Sequence, residues 1–283
     1  MAKQKREVEV VVLSDIHLGT YGCHAKELVA YLKSVSPKVL ILNGDVIDGW
    51  AFSKRYFPNS HMAVLSEFFK MMKKGTQVIY ITGNHDEFLR KYTDLSMGNL
   101  FLTDKYLLEI EGKKHWIFHG DVFDHTTSGS AKFIAKLGGM GYDWLILVNR
   151  AINWILEKFG KGKVSLSKKV KNSVKKAVKF IGDFEKKATE IAINNHYDYV
   201  ICGHIHQPAD KIWTTEKGSV HYLNSGDWIE NLSWLEFDKG NWNLKFFNEK
   251  DFEKPIIEKN DISVNMEELI HPKVFAEFAT QKV

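Results

Sequence analysis

VEVVVLSDIHLG, residues 8–19, decides the fold. Val8–Leu13 is a β-branched run of the length of one buried strand, and it breaks off on Ser14, Asp15 and His17. Polar residues placed directly after a buried strand are what an open α/β sheet presents at its ligand-binding edge. Working outward, Ala25–Lys33 has helical spacing and stops before Pro37. Val39–Leu42 reads as a second strand, His61–Lys73 as a second helix and Val78–Ile81 as a third strand. This alternation predicts an α/β chain with parallel strands. Lys114–Phe118 and Tyr199–Ile201 are further strands. Beyond Lys211 the pattern changes to short strands near 211–215, 219–223, 232–237 and 242–247, with a hairpin turn at KGN, 239–241.

The 283 residues are 44% hydrophobic and 26% charged, which excludes a disordered or collagenous chain and suffices for a large core. Cys23 and Cys202 alone make no disulfide framework, as in a reducing compartment. No run approaches the ~18 apolar residues that span a bilayer. Val10–Leu13 is too short for the core of a signal peptide. The net charge of +4 hides an asymmetry: eleven lysines against Asp183 and Glu185 give Lys158–Lys187 a balance of +9, leaving −5 for the rest. That segment has no arginine and few interleaved aromatics, so no nucleic-acid partner is expected.

Residues 126–195 carry no strand pattern and two long helical ones. Val170, Val174, Val178, Ile181, Phe184, Ala188 and Ile191 form one apolar stripe, and Lys168, Lys171, Lys175 and Lys179 a basic one. Ahead of them, YDWLILVNRAINWILEKF (142–159) has a broad apolar face. The expected organisation is a core of 1–125 and 196–250, a helical cap inserted at 126–195, and an unassigned tail at 251–283.

Polar clusters recur at the strand ends: SDIH (14–17), NGDVID (43–48), GNHD (83–86), HGD (119–121) and GHIH (203–206). Alone, an Asp-x-His is more often a loop pair than a metal site, and Gly-Asp is often only a turn. Gly-His-x-His is stronger, because alternate residues of an extended chain face the same way. Core packing gives no reason to gather five such clusters at one sheet edge, so they are expected to converge on a ligand.

Together these blocks resemble the five signature blocks of the calcineurin-like metallophosphoesterases, over about residues 10–228. The resemblance implies a two-sheet α/β sandwich flanked by helices, with a dinuclear metal centre. It implies Asp15, His17 and His206 on one ion, Asn84, His119 and His204 on the other, and Asp45 bridging them. Carboxylate, amide oxygen and imidazole without thiolate suit divalent ions such as manganese, iron or zinc; the resemblance puts manganese first, with iron, zinc or magnesium as alternatives. Two such ions clamp the attacking and leaving oxygens of a phosphoryl displacement and bring hydroxide to neutral pH. His85 is expected to act in catalysis without ligating, with Asp86 orienting it. Asp121 is expected either to support the site or to serve the fold alone, and Asp48, Asp124, His125 and Asp227 lie near the blocks.

SDIHLG, the helical segment after HGD, FIGDFE (180–185), ICGHIHQP (201–208) and NSGDWIE (224–230) further resemble the UDP-2,3-diacylglucosamine diphosphatase branch. That branch hydrolyses the pyrophosphate of a lipid-linked nucleotide in lipid A synthesis. It releases UMP with manganese, at the cytoplasmic face of the inner membrane. The implied protein is cytoplasmic and peripheral, with 126–195 over the site, holding acyl chains and meeting anionic lipid. One departure stands out: the best-known members read Gly-Asn-Arg-Asp where this chain has GNHD. The alternative is a general metallophosphoesterase acting on a soluble nucleotide diester or phosphoester. A non-catalytic interaction module is disfavoured by the intact ligand set.

Overall fold

The computed structural model describes residues 5–50, 56–124, 167–255 and 257, with the backbone alone for 167–176. The opening run forms β1 (Arg6–Leu13), followed by helix α1 (Ala25–Ser34) and β2 (Val35–Asn43). Helix α2 (Asn59–Lys73) and β3 (Gln77–Ile81) complete the unit, and β1, β2 and β3 pair in parallel as expected. Pro37 falls inside β2, which starts earlier than expected. It is tolerated because β3 begins pairing only at Val39, so no neighbour on that side needs the missing N–H.

Three strands were not anticipated: β4 (Ser96–Met97), β5 (Leu100–Thr103) and β6 (Lys105–Ile110). The first two are too short to show a period, and β6 alternates exposed and half-buried residues without a fully buried face. Then come β7 (Lys113–Phe118), helix α3 (Ser167–Asn194) and β8 (Tyr199–Cys202). The last strands are β9 (Ala209–Thr215), β10 (Gly218–Asn224), β11 (Ser233–Asp238) and β12 (Asn241–Phe246).

The strands make two mixed sheets, of order β12-β11-β1-β2-β3-β5-β4 and β6-β7-β8-β10-β9. Of the strand-rich end beyond Lys211, β9 and β10 join the second sheet and β11 and β12 the first. β11 crosses back and pairs antiparallel with β1, whose other side is taken by β2. The hairpin expected at 239–241 joins β11 to β12, with positive φ at both Lys239 and Gly240 as a tight I′ turn requires.

Alternation along β1 separates the layers. Val10 and Val12 face the second sheet with Ile41, Ile79, Ile117, Ile201 and Leu223. Val11 and Leu13 face outward against Leu28, Tyr31 and Leu32 of α1 and Phe68 of α2. Helix α3 covers the outer face of the second sheet, burying Phe184, Ala188 and Ala192 against Val200, Cys202 and Tyr222. The apolar stripe read along this helix therefore divides: Phe184 and Ala188 are core, while Val178 and Ile191 are exposed. Residues 126–166 and the apolar face at 142–159 lie outside the described residues, as do His125 and all of 258–283. Just before them, Phe252 stacks on Phe247, 4.8 Å between centroids.

Candidate metal centre

All five clusters stand past the carboxyl ends of strands: Asp15 after β1, Asp45 after β2, Asn84 after β3, His119 after β7 and His204 after β8. The turns carrying them are tied to one another. Asp15 N–H donates to Gly44 O (3.1 Å), His17 N–H to Asp45 O (2.9 Å) and Gly203 N–H to His119 O (3.0 Å). This lattice holds an unusual backbone. Asp15, His17, Asp45, His204 and His206 all have φ between +51° and +67°. A left-handed residue other than glycine costs roughly 1–3 kcal/mol. Five in one place persist only because the surrounding bonds leave no alternative, and the result turns five polar side chains into one space.

Two groups of donors meet there. Asp15, His17 and His206 bring one donor atom each within 4.8 Å of one another, and so do Asp45, His119 and His204. Asp45 Oδ2 lies 3.2 Å from His119 Nε2, 3.9 Å from His17 Nε2 and 4.0 Å from His85 Nε2, between the two groups. Asn84 stands beside His85 with its amide oxygen buried and without a hydrogen bond among the described residues. A third group, His17, Asp48 and His85, is centred on a carboxylate to which the sequence reading gave no role. Asp48 Oδ2 lies 3.0 Å from Nδ1 of both histidines. Its only sequence signal is its place three residues after Asp45.

Acceptor chemistry fixes the tautomers. Asp48 can only accept, so His17 Nδ1 carries a proton, and in the neutral ring Nε2 is then the nitrogen with the lone pair. His119 Nδ1 donates to Asn43 O at 2.9 Å, which likewise leaves Nε2. His204 Nε2 faces Asp124 Oδ1 at 2.9 Å, which leaves Nδ1. Asp15 Oδ1, Asn84 Oδ1 and His119 Nε2 are buried without hydrogen bonds among the described residues. Orphaned buried donors of these types, with no thiolate among them, fit borderline-hard divalent cations.

The electrostatics agree. Burial pushes the Asp15 carboxyl up, but His206 and His119 outweigh it and hold it at about 2. Asp45 is held well below the usual carboxylate range against the same burial, by His119, His17 and His85. Burial pushes His206 down, but Asp15 and Asp227 raise it to about 9. The carboxylates thus draw positive charge into a dry site.

Other expected residues fall differently. Asp86 was expected to orient His85, but its carboxylate accepts from Gly83 N (2.6 Å), Val46 N (2.9 Å) and Tyr80 Oη (2.6 Å), shaping the loop. Asp48 faces His85 instead, and the half-exposed Trp50 ring lies against His85, 4.2 Å between centroids. Asp227 accepts from the backbone N–H of Ile229 and Glu230 and from the Asn231 side chain, folding the turn after β10.

Known proteins resemble this chain. UDP-2,3-diacylglucosamine hydrolase of Aliivibrio fischeri (strain MJ11) is 23% identical over 232 residues, 81% of this chain and 94% of that one. The protein of the same name from Blochmanniella pennsylvanica (strain BPEN) is 24% identical over 247 residues, 84% and 96% of the two chains. Among solved structures, Yfce, a phosphoesterase from E. coli, aligns at a TM-score of 0.42 and 13% identity, over 88% of this chain and 99% of that one. The profile of the calcineurin-like phosphoesterases matches residues 8–208, which take in every cluster described above. The chain belongs to the calcineurin-like phosphoesterase family.

Proposed function

We propose that this phosphoesterase cleaves the pyrophosphate of a lipid-linked nucleotide sugar of the UDP-2,3-diacylglucosamine type, using two divalent metal ions. The supporting observation is the span of the likeness, since relatives named for that substrate align over more than four-fifths of this chain. In this reading Asp15, His17 and His206 hold one ion, Asn84, His119 and His204 the other, and Asp45 lies between them. Bound there, two divalent ions would supply Lewis-acid polarisation of the phosphoryl group and would lower the pKa of water.

The chain's own groups do the rest. Asp48 and the Asn43 carbonyl lock His17 and His119 with Nε2 turned inward, which lowers the cost of organising the ligands. His85 keeps Nδ1 against Asp48, and its Nε2 points toward Asp45, where it can donate a proton to the departing phosphate oxygen. The Trp50 ring covers one face of the imidazole, 4.2 Å between centroids. The C-terminal half of α3 is core of the second sheet, so within 126–195 the role of acyl-binding cap and contact with anionic lipid falls to the part of the segment ahead of it. No helix of the described residues is long and apolar enough to cross a membrane.

A manganese-supplemented assay tests the proposal by following UMP release from UDP-2,3-diacylglucosamine and from UDP-N-acetylglucosamine. Release from the acylated substrate alone is expected. Equal turnover of the two, or turnover only of a soluble diester, would replace the lipid reading with that of a general phosphoesterase. The GNHD block, in place of Gly-Asn-Arg-Asp, favours that second reading.

A further inference from the structure

Arg90 lies outside every block that resembles the family, yet it sits where three loops of the site meet. It belongs to the short 3-10 turn Glu87–Tyr92 that follows GNHD. Its Nη2 donates to Asp121 Oδ2 at 2.6 Å, and its Nε to Asp104 Oδ1 at 3.2 Å and Thr82 Oγ1 at 3.3 Å. Thr82 follows β3, Asp104 lies between β5 and β6, and Asp121 follows β7. One guanidinium therefore ties the edge of the first sheet to the turn after the second sheet's β7.

That turn carries metal-site residues at both ends. His119 lies two residues before Asp121, and Asp124, three residues after it, faces His204 Nε2 at 2.9 Å. The Asp124 N–H donates to Asp121 O at 3.0 Å, closing the turn as one 3-10 unit. The Asp121 side chain is only 8% exposed, so its charge depends on Arg90 for compensation. A planar fork that engages two carboxylates at once fixes direction as well as distance, which a lysine cannot reproduce.

We infer that Arg90 is a positioning residue that sets His119 and His204 through Asp121 and Asp124, and so governs only the metal position built from those histidines. Asp15, His17 and His206 make no bond to Arg90 or Asp121 among the described residues; their tie to this side is the His204 N–H, which donates to Asp15 Oδ2 at 3.0 Å. The inference rests on the dinuclear reading above.

The test is manganese binding by chelator competition, on metal-stripped wild type, Arg90→Ala, Arg90→Lys and Asp121→Asn. Wild type is expected to show two binding steps. Partners of ligating histidines typically matter by ~10–100-fold in metal affinity. Arg90→Ala should weaken one step by that factor and leave the other within about twofold. Arg90→Lys should recover part of the loss, because an ammonium reaches Asp121 but cannot also span to Asp104. Asp121→Asn, which keeps the shape of the turn, should weaken the same step even if Arg90→Ala folds poorly. Equal weakening of both steps, or no change in either, overturns the assignment. Wild type that takes up no manganese overturns the dinuclear reading and this inference with it.

Discussion

Gly83→Ala probes how closely the loops of the site are fitted. A Cβ at position 83 would stand 2.2 Å from Asp45 Oδ1 and 2.6 Å from Asp45 N, with His119 Cδ2 at 2.9 Å. The contacts reach both backbone and carboxylate of Asp45, so a change of rotamer does not relieve them. Opening the 2.2 Å contact to the 3.0 Å floor of real Cβ contacts moves Asp45 by about 0.8 Å relative to the GNHD loop. Asp45 Oδ1 also accepts the His85 N–H at 2.8 Å, so the same shift displaces His85. A misplacement of ~1 Å in a reacting constellation costs on the order of 10²-fold, and overpacking costs ~1–3 kcal/mol of stability. The expected result is a folded protein with UMP release from UDP-2,3-diacylglucosamine reduced roughly 50–100-fold and manganese content lowered. Gly182→Ala is the control: its Cβ would meet nothing within 4 Å, and helical alanine should be neutral or slightly stabilising. Melting curves, elemental analysis and steady-state rates on the three proteins settle the matter. A Gly83→Ala protein with full metal content and near-native turnover would refute the claim that this loop packs against a functional Asp45.

Other substitutions separate the roles further. Asp45→Ala should remove both bound metal and turnover, whereas His85→Ala should lower turnover ~10²–10⁴-fold with metal content nearly intact. Metal lost from the His85 variant would make His85 a ligand. His61 provides a pH test away from the metal ligands. Its Nδ1 accepts the Gly19 N–H at 2.9 Å, and burial pushes its pKa down to about 4. The folded-state pKa is lowered, so stability is full above the ordinary value near 6.5 and falls as pH drops from there toward 4. The gap sets a ceiling of about 3 kcal/mol, which screening near the surface reduces to about 1–2 kcal/mol. Urea midpoints between pH 4 and 7.5 should show that slope in wild type and less of it in His61→Gln. Identical slopes would rule out a buried neutral His61.

Much of the first sheet was legible in the chain. β-branched runs of strand length separated by helical spacing leave one economical arrangement, and β1, β2 and β3 adopt it. Leu100–Thr103 is too short to show a period, and Lys105–Ile110 is an edge strand without a fully buried face, so neither was legible. The destination of β11 was hidden for a different reason. Its sequence suits either sheet, and the choice fell to the open side of β1.

For the site, local sequence determined which residue types stand at the strand ends, since chemistry and strand termination are both encoded within a few positions. Whether those residues meet depended on two sheets packing face to face. That packing brings the turn after β1 near GHIH from β8, nearly two hundred residues away in the chain. Partnerships such as Asp48 with His85, rather than Asp86 with His85, belong to the folded molecule alone. Sequence sets Asp86 beside His85 and Asp48 far from it, and the backbone N–H groups that take up Asp86 leave Asp48 to face the imidazole.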